Sequence, residues 1–306
     1  MKKHRPLHKK IRDQLFYLLV LIMIKLLRLM PRKPAVKLLR MLGAIIFHLG
    51  GSTRRKTVKH LTLAFGHEKT EQEIIQIARN NFIHLFGAAA DFFRLPCLLK
   101  NEFNGLITTE GLHHLEQAWA EGKGVMMLTA HFGNWELLAA WLAWNGYPMK
   151  GVGTSLFDPR LDKLVVETRT KAGITNIARG KATREIMRTL KEGGAIGMLI
   201  DQDTKVKSTF VNFFGYPAST PTGPTLLARK FKIPIIPIFI HMREDLTYHI
   251  EGFPPITQEY SDNEERDITI NTQRCTDLYE QVIRRHPAQW VWMHKRWHRK
   301  PTPNIS

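Results

Sequence analysis

His131 and Glu136 are the residues of this 306-residue chain whose types and spacing best suit chemistry. They lie five apart in Thr129-Ala130-His131-Phe132-Gly133-Asn134-Trp135-Glu136. Neighbours on one helix face are three or four apart, so five is a poor spacing within a regular helix. It becomes workable where a turn leads into a helix, with His131 in the loop and Glu136 in the first turn. Glu136 can then accept a hydrogen bond from one imidazole nitrogen and fix the tautomer, leaving the other nitrogen as a general base. Gly133 would let the backbone approach a reacting group, and N–H groups at the helix start could stabilise an oxyanion. The same residues also fit a capping glutamate and an ordinary loop histidine. Spacing alone leaves both readings open.

Other common schemes lack their residues. Gly153-Thr154-Ser155-Leu156-Phe157 has no closing glycine and makes no nucleophile elbow. Neither a P-loop, nor HExxH, nor GxGxxG occurs. The adjacent His113 and His114 point to different helix faces, and Cys97 and Cys275 have no metal-ligand spacing, so no metal is expected.

The elements that must position His131 alternate between strand and helix. Val125–Thr129, Met149–Gly153, Ala195–Ile200 and Ile233–Ile240 read as short apolar strands. Between them 134–144, 159–172, 181–191 and 221–231 read as helices, and 71–95 is an amphipathic helix stopped by Pro96. That rhythm predicts an α/β fold with a largely parallel central sheet flanked by helices. In such sheets chemistry gathers beyond the carboxyl ends of strands. His131 follows the first strand, and Asp201-Gln202-Asp203 follows Ala195–Ile200. Trp290 and Trp292 are expected on one face of a strand, packed in the core.

Charge divides the chain. Residues 1–60 carry sixteen Lys and Arg against one acid, a net +15, while 61–283 carry −3, and six bases without an acid follow from Arg284. The basic N-terminal segment also holds the apolar run Leu15–Ile24. Basic plus apolar is the pattern of attachment to an anionic lipid surface rather than to nucleic acid. The run is short for a span and lacks a small-residue cleavage site, so 1–60 is expected to be an uncleaved hydrophobic helical membrane anchor. The remaining residues, 61–306, would form the catalytic domain. Lys2, Lys3, Arg5, Lys9, Lys10 and Arg12 put the N-terminus on the cytoplasmic side.

The His131–Glu136 block resembles the H-x4-D/E block of the bacterial lipid A biosynthesis (late) acyltransferases, the Kdo-dependent lauroyl/myristoyl transferase type. Asp201-Gln202 is similar to a second block of that family, and Phe213-Phe214-Gly215 with Leu226-Leu227-Ala228-Arg229 to a third. Gln289-Trp290-Val291-Trp292-Met293-His294-Lys295-Arg296-Trp297 resembles its C-terminal signature. The likeness runs from about residue 10 to 300. It implies a glycerol-3-phosphate-acyltransferase-like fold and transfer of a fatty acyl group from an acyl thioester to a hydroxyl of a Kdo-lipid A precursor. The donor would be acyl carrier protein or acyl-CoA, a co-substrate, with no cofactor. His131 would be the base oriented by Glu136, with Gly133, Asn134 or Arg169 stabilising the oxyanion and Asp201 and Gln202 lining the pocket. The implied location is the cytoplasmic side of the inner membrane. Solvated surface is the alternative for Arg169, Asp201 and Gln202. A glycolipid, ornithine lipid or lysophospholipid acceptor fits the same residues. A non-catalytic basic membrane or nucleic-acid-binding protein would require the motifs to be coincidences.

Overall fold

The computed structural model describes residues 7–153, 158–178 and 182–301. Four helices come first: α1 (Leu7–Leu29), α2 (Arg32–Leu49), α3 (Gly51–Phe65) and α4 (Glu71–Cys97). Then follow β1 (Ile107–Glu110), α5 (His113–Ala120), β2 (Val125–Thr129), α6 (Trp135–Trp144), β3 (Lys150–Gly153), α7 (Pro159–Lys171) and β4 (Thr175–Ala178). Next come α8 (Ala182–Lys191), β5 (Ala195–Leu199), β6 (Ser208–Phe213), β7 (Tyr216–Pro221), α9 (Gly223–Phe231), β8 (Ile235–Met242), β9 (Tyr248–Gly252) and α10 (Glu264–Arg285).

The main sheet has the order β1-β9-β8-β2-β5. It is parallel throughout except for the β8–β9 pair. β2 and β8 are apolar but for Thr129 and His241 near their ends, because both faces are covered. Met126, Leu128, Ile235 and Phe239 pack on one face with α3, α10 and the C-terminal tryptophans. Val125, Met127, Ile236, Ile238 and Ile240 pack on the other with α1, α2, α4 and α6. Period-two alternation along each strand thus serves two cores.

Helix starts follow local chemistry. Thr70 and Glu73 close a capping box on α4. Asn134, Asp158 and Asn263 cap α6, α7 and α10 with side-chain oxygens. Pro96 sits inside the last turn of α4 rather than ending it, and a π-turn over Leu98–Glu102 follows. The strands and helices expected between 125 and 240 occur within a few residues of their expected bounds. β4, the β6–β7 hairpin, β1, α5, β9 and α10 are additions. Trp290 and Trp292 are fully buried, yet they lie after a 3-10 turn (Pro287–Gln289) and not on a strand.

The expected boundary at residue 60 falls inside α3 and is not a packing boundary. Leu27, Ala35, Val36 and Leu39 share a core with the sheet residues Ile236 and Ile240, and Phe47 and Leu61 share the other with Phe239. Arg28 donates to Phe93 O at 2.8 Å, and Arg94 donates to Leu27 O and Met30 O, stitching α1 to α4. The outer faces of α1 and α2 do stay apolar and exposed, at Leu15, Phe16, Leu19 and Ile22 and at Leu38, Met41 and Ile45. Among the described residues one helical stretch, 71–100, is long and apolar enough to cross a membrane, and half of it is buried inside the fold. Lys2, Lys3 and Arg5, the Thr154–Phe157 stretch and Lys181 lie outside the described residues.

Candidate active site

β2 and β5 pair in parallel with Thr129 opposite Leu199. Two residues beyond each strand end, His131 therefore meets Asp201. His131 Nδ1 lies 2.8 Å from Asp201 Oδ1, and the His131 backbone N–H donates to Asp201 Oδ2 at 2.8 Å. Trp290 Nε1–H donates to the same Oδ2 at 2.8 Å. Asp201 is fully buried, which by itself would raise its pKa. The charge and hydrogen bonds of His131 and the Trp290 bond outweigh that and bring it down to about 2. An ionised, buried carboxylate thus holds one imidazole nitrogen. His131 is a quarter exposed, and its Nε2 has no hydrogen-bond partner among the described residues.

The turn that carries His131 is held along its whole length. Gly133 has φ +58°, and a Cβ built on it would lie 1.7 Å from Ile240 O. Only glycine lets this turn rest on β8. Gly133 N–H donates to Gln289 O at 2.9 Å, Val291 N–H donates to His131 O at 3.1 Å, and His84 Nε2 donates to Gly133 O at 3.0 Å. Burial lowers the pKa of His84 to about 4, so a neutral ring makes that bond. The expected oxyanion role of the Gly133 N–H is therefore corrected, because that donor is already engaged. Asn134 turns its side-chain oxygen to Leu137 N–H at 3.2 Å. The backbone N–H groups of Asn134, Trp135 and Glu136 make no hydrogen bond among the described residues, and they cluster at the start of α6.

Glu136 does not orient His131. Riding on the first turn of α6, it meets α7, where Arg169 grips it with Nε at 2.9 Å and a second nitrogen at 2.5 Å. Arg169 also donates to Asn176 Oδ1 at 3.2 Å, and the Glu136 hydrogen bonds raise its pKa. This fork–fork geometry satisfies both partners. Arg169 thus joins α7 and β4 to α6, and its expected oxyanion contact is replaced by this ion pair. The reason is positional: His131 is drawn towards β5, whereas a residue in the first turn of α6 faces the next helix.

Gln202 donates its amide to His294 Nε2 at 2.9 Å. The His294 ring lies 5.5 Å from the His131 ring, and Trp135 packs edge-on to His131 at 5.3 Å. Burial, then the neighbouring His131, lower the His294 pKa to about 4. His294 and Trp290 complete a site whose sequence position, far down the chain, gave no hint of these contacts. The parallel register of β2 and β5 is the signal that could have paired His131 with Asp201.

The chain matches the sequence profile of the bacterial lipid A biosynthesis acyltransferase family over residues 1–299, and it belongs to that family. It is 26% identical over 272 residues to a lipid A biosynthesis acyltransferase of Haemophilus influenzae, covering 88% of this chain and 83% of the relative. The lipid A biosynthesis myristoyltransferase of Escherichia coli is 26% identical over 271 residues, 87% of this chain and 82% of the relative. A phosphatidylinositol mannoside acyltransferase of Mycolicibacterium smegmatis is 25% identical over 209 residues, 67% of each chain.

Proposed function

We propose, with that family membership as premise, that this O-acyltransferase moves a fatty acyl group from an acyl thioester to a hydroxyl of a lipid A precursor, with His131 as general base. The observation that carries the reading is the Asp201–His131 pair, which holds Nδ1 and leaves Nε2 open. Nε2 takes the acceptor hydroxyl proton as the oxygen attacks the thioester carbonyl. The tetrahedral oxyanion is met by the free N–H groups at the start of α6, where the helix dipole also favours negative charge. Collapse breaks the C–S bond, and the imidazolium returns its proton to the thiolate. Asp201 stabilises the imidazolium between the two transfers. Glu136 and Arg169 act by holding α6 and α7 together beside this turn.

Acyl carrier protein or acyl-CoA is the donor. The exposed apolar faces of α1 and α2, with their basic flanks, lie on the anionic cytoplasmic leaflet of the inner membrane. The mannoside acyltransferase relative favours a second reading, in which the same chemistry serves another glycolipid. Purified protein is incubated with acyl-CoA or acyl carrier protein thioester and each acceptor in detergent, and products are weighed by mass spectrometry. A His131-dependent mass gain on the lipid A precursor supports the first reading. Gain on the inositol mannoside alone selects the second. Transfer undiminished in His131→Ala removes the mechanism.

A further inference from the structure

The turn bearing His131 is tied to the N-terminal helices by a chain of buried polar groups. Arg32, the first residue of α2, donates from Nε to Asp91 Oδ1 at 2.9 Å and from a terminal nitrogen to Asp91 Oδ2 at 2.7 Å. Tyr248 Oη donates to Asp91 Oδ2 at 2.8 Å. Asn134 Nδ2 donates to Tyr248 Oη at 3.1 Å and to Ala88 O at 3.2 Å. Asp91 and Tyr248 are wholly buried, and Arg32 and Asn134 nearly so. The chain thus crosses from α2 through α4 and β9 into the catalytic turn.

Its polarity is set from the Arg32 end. Burial raises the Asp91 pKa, but Arg32 aims guanidinium N–H groups, which only donate, at both of its oxygens, so Asp91 stands as the acceptor. Burial and the adjacent Asp91 charge keep the Tyr248 phenol protonated, well above its usual range, and its one hydrogen goes to Asp91. The Tyr248 oxygen must then accept from Asn134, which turns the amide NH2 inward. That leaves Asn134 Oδ1 for the Leu137 N–H, the cap of α6. A flipped amide would aim two hydrogens at a helix start that offers only donors. The direction of this network therefore dictates how Asn134 presents itself, three residues after His131 and two before Glu136.

We infer that Tyr248, Asp91 and Arg32 are positioning residues for acyl transfer, holding Asn134 and with it the His131 turn and the open N–H groups of α6. The inference rests on the proposed role of His131. It makes the N-terminal helices part of the catalytic machinery in addition to their lipid-facing surface. Buried polar chains cost desolvation, and an apolar replacement is often no less stable. Loss of alignment, by contrast, acts on rate, since a misplacement of about 1 Å can cost about 100-fold.

The test is kinetic. Tyr248→Phe keeps the ring and removes the link, while Arg32→Lys keeps the charge and loses the fork. Ile186→Val, on the buried face of α8, serves as a control for stability. Each variant is assayed with acyl-CoA in detergent, well below its thermal midpoint, beside the parent and His131→Ala. Tyr248→Phe should lower kcat about 10-fold to 100-fold, with the donor KM changed less than about twofold, and Arg32→Lys should fall between it and the parent. Ile186→Val should keep the parental kcat. The inference is overturned if Tyr248→Phe turns over within about twofold of the parent while His131→Ala is inactive. It is equally overturned if its loss appears in KM rather than kcat, or if Ile186→Val loses as much. An active His131→Ala would sink the reading beneath it, and the inference with it.

Discussion

Replacing Asp201 by Asn preserves the volume of a fully buried side chain and changes only which groups donate. Oδ2 now accepts from two N–H groups, those of His131 and Trp290, and Oδ1 faces His131 Nδ1. Asn can offer one oxygen. If its NH2 faced the two N–H donors, two buried donors would lose their acceptor, at about 1–3 kcal/mol each. The oxygen therefore stays with them, and the NH2 points at His131 Nδ1. Nδ1 must then accept, the ring proton moves to Nε2, and the nitrogen that should take the acceptor proton is blocked. A base in the wrong tautomer loses about 10³–10⁴ in kcat, or about 4–5.5 kcal/mol of barrier. The donor KM should hold, because Asp201 lies beneath His131 and is closed to solvent. Thiol release from an acyl thioester, followed in detergent with saturating acceptor, measures both constants. A folded Asp201→Asn protein with kcat within about threefold of the parent would refute the assignment of Asp201 as the group that orients His131.

Glu136→Gln should cost about tenfold or less in kcat and about 1–2 kcal/mol in stability, since Arg169 keeps a neutral hydrogen-bond partner but loses the charge; chemical denaturation beside the kinetic assay checks the ranking. Gly133→Ala should cost more than about 4 kcal/mol or abolish soluble expression, because the added carbon would overlap Ile240 O at a positive φ. Asp201 is held at about 2, below the ordinary carboxylate range, so its contribution of about 2 kcal/mol is present above about pH 4 and is lost as pH falls towards 2. Denaturation midpoints of the parent should accordingly drop more steeply in acid than those of Asp201→Asn. High salt should leave the protein on anionic vesicles and detergent should release it, because apolar burial by the exposed faces of α1 and α2 is insensitive to screening; complete release by salt alone counts against this.

Much of the fold could be read from the chain before any coordinates. The mostly apolar runs at 125–129 and 235–242 are strands because a strand inside the sheet is buried on both faces, and 195–199 reads the same way at the sheet edge beside β2. Asn134, Asp158 and Thr70 announce helix starts because capping is satisfied within three or four residues of chain. His131 stands out for the same reason: a histidine just beyond a strand end is a local pattern. Its partner is not local. Asp201 is seventy residues away and becomes the orienting carboxylate only because β5 lies beside β2 in a parallel register. Glu136, five residues away, was the nearer candidate along the chain, yet the first turn of α6 delivers it to Arg169. The N-terminal segment follows the same logic. Its basic and apolar composition suits the exposed apolar outer faces of α1 and α2, but composition cannot reveal that their opposite faces fill the core, or that Arg32 is paired with Asp91. Short-range hydrogen bonds and periodic burial are written in adjacent residues, whereas strand order and the pairing of buried charges arise only when distant segments compete for the same interior space.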